Sequence, residues 1–166
     1  WAYVVGFRYY KGYNKGEQGL ASDSNLPEFD YNNPENLEGS SYEFPSQNIS
    51  LFAEHIFNIN SKFSLTPGIR LEHIKTTADG SYRTQIEDLA GHVIFDSTYL
   101  DQKENQRSFI ITGLGGMYKV SDSLEFYANV SQNYRSINFT DMQIQNPNFK
   151  IDPNLEDEKG YNSDLG

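Results

Sequence analysis

The sequence lacks several features that would place it in a familiar class. It contains no cysteine, which excludes a disulfide scaffold and a cysteine-based metal site. No apolar run approaches the ~18–20 residues that a membrane helix requires, and the mean hydropathy is −0.67. Positive charge is also scarce, since 13 lysines and arginines oppose 23 aspartates and glutamates. The net charge of −10 disfavours nucleic acid as a partner. Any membrane-spanning role must therefore use β-strands.

Aromatic residues and a repeated hairpin pattern point to strands. The chain holds 12 tyrosines and 11 phenylalanines, which are favoured in strands and in the interfacial girdles of membrane barrels. Two hairpins with alternating apolar and polar residues are predicted, 49–59 with 63–74 across Asn60-Ser61-Lys62, and 108–118 with 124–134 across 120–123. We therefore predict an all-β fold, an antiparallel up-and-down meander of about six strands.

The predicted connections alternate between short and long. Strands are expected at about 1–10, 48–59, 63–87, 92–119, 124–134 and 158–166. Long polar loops are expected at about 11–47, 76–106 and 135–157, and residues 82–87 and 92–99 could pair within the second of these. A barrel that crosses an outer membrane has tight turns at one rim and long loops at the other. The pattern of connections is typical of that architecture.

Alternation along the strands leaves two architectures open. Ile69 and Leu71 share one face, and Arg70 and Glu72 share the other. An apolar outer face and a polar inner face define a membrane barrel, whereas the reverse defines a soluble, secreted sandwich that could bind carbohydrate. Pro67 favours an edge, a bulge or a distorted strand end, because proline removes a ladder hydrogen bond.

Both termini of the chain fall within alternating runs. Residues 1–10 and 164–166 continue the strand pattern, and no signal peptide precedes the first of them. We therefore expect this chain to be an excerpt from a longer polypeptide whose targeting sequence lies elsewhere.

Several segments resemble the barrel of TonB-dependent outer-membrane receptors. Residues 133–141, NYRSINFTD, are similar to the family's Tyr-Arg strand end and the loop with a short helix that follows it; we expect Thr140 to cap this helix. Residues 153–162, PNLEDEKGYN, are similar to the stretch that leads into the next strand, with Glu156-Asp157 where Lys-Pro is commoner. Residues 64–72 and 124–131 also look like strands of this family, and the overall likeness is closest to the ferric dicitrate type.

This resemblance implies the setting of the chain. It implies a larger, plugged transmembrane β-barrel of about 22 strands in the bacterial outer membrane. The plug domain is not present in these residues, nor is the motif that engages the TonB-ExbB-ExbD complex of the inner membrane. The implied function is import of an iron chelate, ferric citrate or a siderophore, without chemistry on it. No catalytic residue, cofactor or metal ligand is therefore expected, and the outer membrane lipid is an expected partner.

An anionic chelate would require local cations within this acidic chain. Arginine suits the task because its planar fork donates two parallel hydrogen bonds to a carboxylate. The candidates are Arg70 on the presumed lumen face, Arg83 and Arg107 in or beside the second long loop, and Tyr134 and Arg135 at a strand end near the mouth. Each arginine could instead form a structural ion pair with a nearby carboxylate.

Haem and glycans remain alternative ligands within the family. His55 and His73 fall in the apolar phase of their strands and His92 lies beside a loop tip, so no histidine pair is obviously placed to ligate haem iron. Aromatic residues that could stack on a glycan are Phe29, Tyr31, Tyr42 and Phe44. Their spacing has no specific pattern.

Overall fold

A computed structural model describes residues 1–23, 30–144 and 149–166 of the chain. Six strands form one antiparallel sheet in which each strand pairs with its neighbour in sequence. They are β1 (Ala2–Gln18), β2 (Ser40–Asn58), β3 (Phe63–Glu87), β4 (Val93–Ser121), β5 (Leu124–Arg135) and β6 (Glu158–Leu165), with one helical turn, α1 (Phe139–Met142), between the last two. The prediction of an all-β up-and-down meander is confirmed.

Strands β1 and β2 extend further than the sequence pattern indicated, whereas β3 and β4 agree closely with the strands expected at 63–87 and 92–119. The loop expected at 11–47 is shorter, because β1 continues to Gln18 and β2 already begins at Ser40. Most of the loop expected at 76–106 is a hairpin, in which Tyr82 pairs with Tyr99 and Glu87 with Val93. This hairpin is continuous with β3 and β4, so two of the longest strands rise together from the rest of the sheet.

Side-chain chemistry explains the turns that join these strands. At the β2–β3 turn, Asn60 Oδ1 accepts hydrogen bonds from the backbone N–H of Lys62 at 2.8 Å and of Phe63 at 2.9 Å. At the β3–β4 turn, Asp88 Oδ1 accepts from the N–H of Ala90 at 2.9 Å and of His92 at 2.8 Å. Asparagine and aspartate favour turns because their short side chains bond the backbone in this way.

Prolines interrupt the ladder between β2 and β3. No pairing joins Pro45 to β3 or Pro67 to β2, although Pro67 pairs with Leu114 of β4. Proline has no backbone N–H, so it cannot donate to the ladder. Pro67 therefore lies in an interior strand, beside a local gap in the hydrogen-bond ladder. Of an edge, a bulge and a distortion, the three positions that the sequence left open, the local distortion is the one observed.

The two faces of the sheet differ sharply in polarity. Residues that oppose each other across antiparallel strands point to the same face, so the pairing of Leu51 with Leu71 and of Leu71 with Ile110 places all three on one face. This apolar band also includes Tyr3, Val5, Phe7, Phe57, Phe63, Leu65, Ile69, Leu114, Phe126 and Val130. The opposite face, called here the inner face, carries polar and small residues at the same level, among them Ser50, Glu72, Gly68 and Asn129.

The apolar band has the height of a membrane core. Ten residues separate Phe63 from His73 on β3, and a strand with ~3.3 Å rise per residue and ~40° tilt covers about 25 Å over that length. Phe7, Leu51 and Ile110 of the band are more than half exposed, and the described strands form no second sheet that would cover them. The soluble sandwich, which requires two packed sheets, is therefore not the architecture of this chain. None of the helical segments in the described ranges is long and apolar enough to span a membrane.

Candidate ligand-facing wall and mouth

A polar network crosses the inner face at the depth of the apolar band. Arg8 Nη2 donates to Asn48 Oδ1 at 3.0 Å, and Asn48 Nδ2 donates to Glu72 Oε2 at 2.6 Å. Arg70 forms an ion pair with the other oxygen of Glu72, and its Nη2 donates to Ser50 Oγ at 3.4 Å. Asn48 thus links Arg8 to Glu72, whereas Arg70 contacts that carboxylate directly, and Glu54 lines the same pocket as Arg70.

Arg70 lies on the inner face, where the alternation placed it. Its side chain is 37% exposed, whereas that of Glu72 is 7% exposed. The guanidinium carbon also lies 5.9 Å from the centre of the Phe52 ring, within range of a cation–π contact. Packing on Phe52 therefore limits the orientation of Arg70 and leaves part of its guanidinium facing the lumen.

Arg107 is the centre of a second cluster nearer the mouth. Its Nη2 donates to the backbone oxygen of Ile137 at 2.7 Å, and its Nε lies 3.2 Å from Asp157 Oδ1. Asp157 Oδ1 also accepts the backbone N–H of Ile137 at 2.7 Å, and Tyr134 donates its hydroxyl to Asp157 Oδ2. The Arg107 and Asp157 side chains are only 8% and 12% exposed, so this pair is buried.

The position of Tyr134 depends on a local separation of strands. Pairing between β4 and β5 ends at Gly113 and Ser131. Beyond that point Gln132 Oε1, rather than a backbone oxygen, accepts the N–H of Thr112 at 2.9 Å. The Tyr134 ring stacks on Phe109 with 3.5 Å between ring centres. The structure thus brings Tyr134 and Arg107 together through Asp157.

The segment after β5 folds back over the inner face. Ile137 and Met142 are buried together with Tyr42, Phe44 and Ala78 in the core of the described chain. Tyr42 donates its hydroxyl to Asp101 Oδ2 at 2.8 Å. Burial, followed by this hydrogen bond, raises the pKa of the Tyr42 phenol above its usual value, so it remains a donor at physiological pH. Tyr42 and Phe44 are therefore not available to stack on a glycan, and Phe29 lies outside the described residues.

Asn138, rather than Thr140, caps helix α1. Asn138 Oδ1 accepts the backbone N–H groups of Thr140 at 2.9 Å and of Asp141 at 3.2 Å. Asp141 Oδ2 returns a bond by accepting the N–H of Asn138 at 3.0 Å. This reciprocal arrangement is a capping box, in which the N-cap residue and its partner in the helix are three residues apart. The expected cap at Thr140 is wrong because the helix starts one residue before it.

Arg135 lies at the rim and links two elements. Its Nη1 donates to Glu158 Oε1 at 2.8 Å, and its Nη2 lies 3.2 Å from Asp141 Oδ2. The side chain is 52% exposed. Arg135 therefore forms ion pairs with two carboxylates, whereas Arg70 forms an ion pair with one.

Arg83 lies apart from the other candidates. It occupies the outward phase of β3, shared with Ile69 and Leu71, and forms a two-pronged ion pair with Asp96 of β4. The hydrogen bond from Arg83 lowers the pKa of Asp96 below its ordinary value. The structure thus places Arg70, Arg107, Tyr134 and Arg135 on the inner side or at the mouth, and Arg83 on the outer face of the projecting hairpin.

The histidines do not assemble a metal site. His55 and His73 lie on the outward face, and His92 lies at the β3–β4 turn. Within the described part of the chain, no group of three or more histidine, cysteine, aspartate or glutamate side chains is arranged to hold a metal ion.

Several important inner-face residues were not singled out from the sequence. Asn48, Asp101, Lys103 and Asp157 provide the partners that hold the candidate arginines and the inward-folded segment. Asn48 had a usable signal, because it continues the polar phase of Ser50 and Glu54 along β2. Asp157 had none, since its partners lie 20 or more residues away along the chain.

The single antiparallel sheet, its outward apolar band and its polar inner wall define part of an outer-membrane transport barrel. The family model described as TonB dependent receptor-like, beta-barrel, matches residues 1–166. The chain therefore belongs to the TonB-dependent receptor family, and its place is the bacterial outer membrane. Members of this family are transporters rather than enzymes. Comparison with curated proteins and with solved structures finds no match.

Proposed function

We propose that this chain forms part of the wall and mouth of a receptor that imports an anionic iron chelate, ferric citrate or a siderophore. The TonB-ExbB-ExbD complex would supply the energy through a plug domain of the parent protein. The observation that carries the proposal is the inner-face network around Arg70. It places a partly exposed guanidinium at a pocket on the inner wall of a chain whose net charge is −10.

The candidate residues have different roles in this proposal. Arg70 and Arg135 contact the chelate, because their side chains are 37% and 52% exposed. Arg107 and Tyr134 position the inward-folded segment instead, since Arg107 is almost fully buried and both engage Asp157. Arg83 stays outside the contact set because it lies on the outward face.

Charge explains why Arg70 should dominate. Arg135 already shares its guanidinium with Asp141 and Glu158, so an approaching anion meets two carboxylates there. Arg70 forms an ion pair with one carboxylate, that of Glu72, which also accepts a hydrogen bond from Asn48. Glu54 lines the same pocket, but no ion pair joins it to Arg70 among the described residues. A carboxylate of the chelate can therefore accept hydrogen bonds from Arg70 with less repulsion than at the rim.

The test is saturable binding of radiolabelled ferric citrate to outer membranes that contain the full-length parent receptor. Hydrogen bonds to charged groups are worth ~1.5–3 kcal/mol, so we expect Arg70→Gln to weaken binding about 10- to 100-fold. Arg135→Gln should weaken it less. Arg83→Gln is the matched control, because it removes the same residue type from an ion pair on the outward face, and binding should not change.

Equal affinity of the Arg70→Gln and Arg83→Gln receptors would refute the role of the inner wall. Failure of the correctly inserted wild-type receptor to bind either ferric citrate or a ferric siderophore would refute the chelate assignment itself. Insertion is checked by the heat-dependent shift of the folded barrel on gels, so a folding defect is distinguished from lost affinity.

A further inference from the structure

The upper part of β4 has one side that no strand covers. Pairing between β4 and β5 stops at Gly113, whereas β4 itself begins at Val93. Within the described sheet, residues 93–112 of β4 therefore pair with β3 alone. We call the uncovered side of these residues the open edge. Since β4 is an interior strand, the open edge arises inside the sheet rather than at its border.

Alternate residues of β4 direct their backbone groups to the open edge. In an antiparallel sheet, the N–H and C=O of one residue point to the same side of the strand. The Thr112 N–H points toward β5, where a side-chain oxygen accepts it at 2.9 Å. The Lys119 N–H points to the opposite side, where the Lys62 oxygen accepts it at 2.7 Å. Even-numbered residues therefore face the open edge, and among the described residues no hydrogen bond reaches the backbone of Gln102 or Glu104 from that side.

A groove runs beside the open edge at the mouth. Its volume is about 430 Å³, and residues 102–105 of β4 form one wall. The other wall is largely apolar and comes from the residues between β5 and β6, with Ile137, Met142, Ile151 and Leu155. Backbone donors and acceptors of the open edge therefore lie across from apolar side chains. An added strand fits both walls, because its backbone can extend the sheet while alternate side chains enter the groove.

The charge of the groove favours a cationic occupant. Glu104 and Asp152 line it, and both residues are exposed. Glu104 also pairs with Lys75, but an ion pair whose side chains are 49% and 39% exposed contributes little free energy. The lysine that lines the groove, Lys103, is held by Asp101. A basic side chain of an added strand therefore meets carboxylates here rather than a free cation.

We propose that the open edge of β4 binds an extended, cationic peptide segment of another polypeptide as an added antiparallel strand. Peptide residues that bond Gln102 and Glu104 share the outward face with these two residues, so they carry the basic side chains. The peptide residues between them point inward to the apolar wall of the groove and are therefore apolar. The inference is independent of the transported ligand.

The experiment measures binding of a labelled hexapeptide of alternating lysine and valine to the purified full-length receptor by fluorescence anisotropy. Loss of one neutral hydrogen bond weakens binding about fivefold. N-methylation of the lysine amides removes the donors to the Gln102 and Glu104 oxygens, so we expect about 25-fold weaker binding. N-methylation of the valine amides, which face away from β4, is the matched control and should change affinity by less than about twofold. A hexapeptide with glutamate in place of lysine should bind more weakly than the lysine peptide.

Gln102→Pro tests the same contact from the receptor side. The Gln102 N–H faces the open edge, so proline removes this donor without breaking the β3–β4 ladder, and we expect about fivefold weaker binding. Thr98→Pro is the control, because it makes the same change on the same edge beyond the groove, and it should bind like the wild type.

Three results would each overturn the proposal. They are a wild-type receptor that does not bind the lysine peptide, equal affinity for the two methylated peptides, and equal affinity of the two proline receptors. The methylated peptides are measured on the wild-type receptor, so they decide the question alone if a proline receptor fails to insert.

Discussion

Replacing Arg107 tests whether one buried arginine holds the inward-folded segment at the mouth. Arg107→Ala removes the hydrogen bond to the Ile137 oxygen and the ion pair with Asp157. It also leaves Asp157, 12% exposed, without its cationic partner. Breaking a buried pair by removing one partner costs ~3–5 kcal/mol. Since neither side chain is fully buried, we expect the substitution to lower the free energy of local opening of residues 136–144 by about 3 kcal/mol.

Hydrogen exchange of the full-length receptor measures that opening directly. A loss of ~3 kcal/mol corresponds to about 150-fold faster exchange of the protected amides, among them the Ile137 N–H that Asp157 accepts. Amides of the β2–β3 ladder should exchange as in the wild type, because the change is confined to the mouth. Unchanged exchange in residues 136–144 of a folded Arg107→Ala receptor would show that the apolar contacts of Ile137 and Met142 hold the segment without the ion pair.

Two other predictions test the face assignment and the hairpin turn. Ile69→Lys places a charge near the middle of the apolar band and should reduce barrel stability by ~2–4 kcal/mol in a urea titration. Thr66→Lys on the inner face of the same strand should have a much smaller effect, and an equal or larger loss for Thr66→Lys would contradict the face assignment. Hydrogen bonds from the His92 N–H lower the pKa of Asp88 below its ordinary 3.8. The stabilisation by Asp88 is therefore complete above that value and is lost as the pH falls through the lower folded pKa. Pepsin should cut at exposed Leu89 increasingly below pH ~3.8, relative to an unstructured reference peptide; Asp88→Asn should remove this pH dependence, and a variant that still shows it would contradict the assignment.

The membrane-spanning part of the fold could be predicted because alternation and turn chemistry agree there. The apolar phase of residues 63–71 and of 124–130 is uninterrupted, and Asn60 marks the turn between β2 and β3. Each strand therefore carries its own signal, without knowledge of its neighbours. In β4 the glycines at 113, 115 and 116 carry no side chain, so alternation could not show which face each residue occupies. The pairing with β3 shows it instead.

The upper parts of β1 and β2 were missed because their outward face is polar. Above Lys11 on β1 and Gln47 on β2 the outward face carries Lys15, Glu17 and Glu43, so the apolar phase that reveals the lower strands does not continue. Pro45 added a further signal for a loop, although it lies in a strand with a local gap. The outward position of Arg83 could have been predicted from the sequence. Alternate residues of one continuous strand share a face, so Arg83 lies on the same face as Ile69 and Leu71.

The mouth itself could not be predicted from the pattern of residues. Its bonds join Arg107 to Ile137 and Asp157, and Tyr42 to Asp101, across separations of 30 to 59 residues. Such contacts depend on how the strands are arranged in space rather than on local spacing. The sequence supplied the residue types, and the order of strands brought them together.

The projecting β3–β4 hairpin gives the receptor a natural display site. Between Lys75 and Glu87 strand β3 extends about 40 Å along its own axis beyond the apolar band. Its turn carries a fully exposed Leu89 and a Gly91 with no atom within 4 Å of an added Cβ. A short epitope tag inserted between Leu89 and Ala90 should therefore be recognised by antibody on intact cells. The same tag would report, cell by cell, how much receptor has reached the surface and which way it faces.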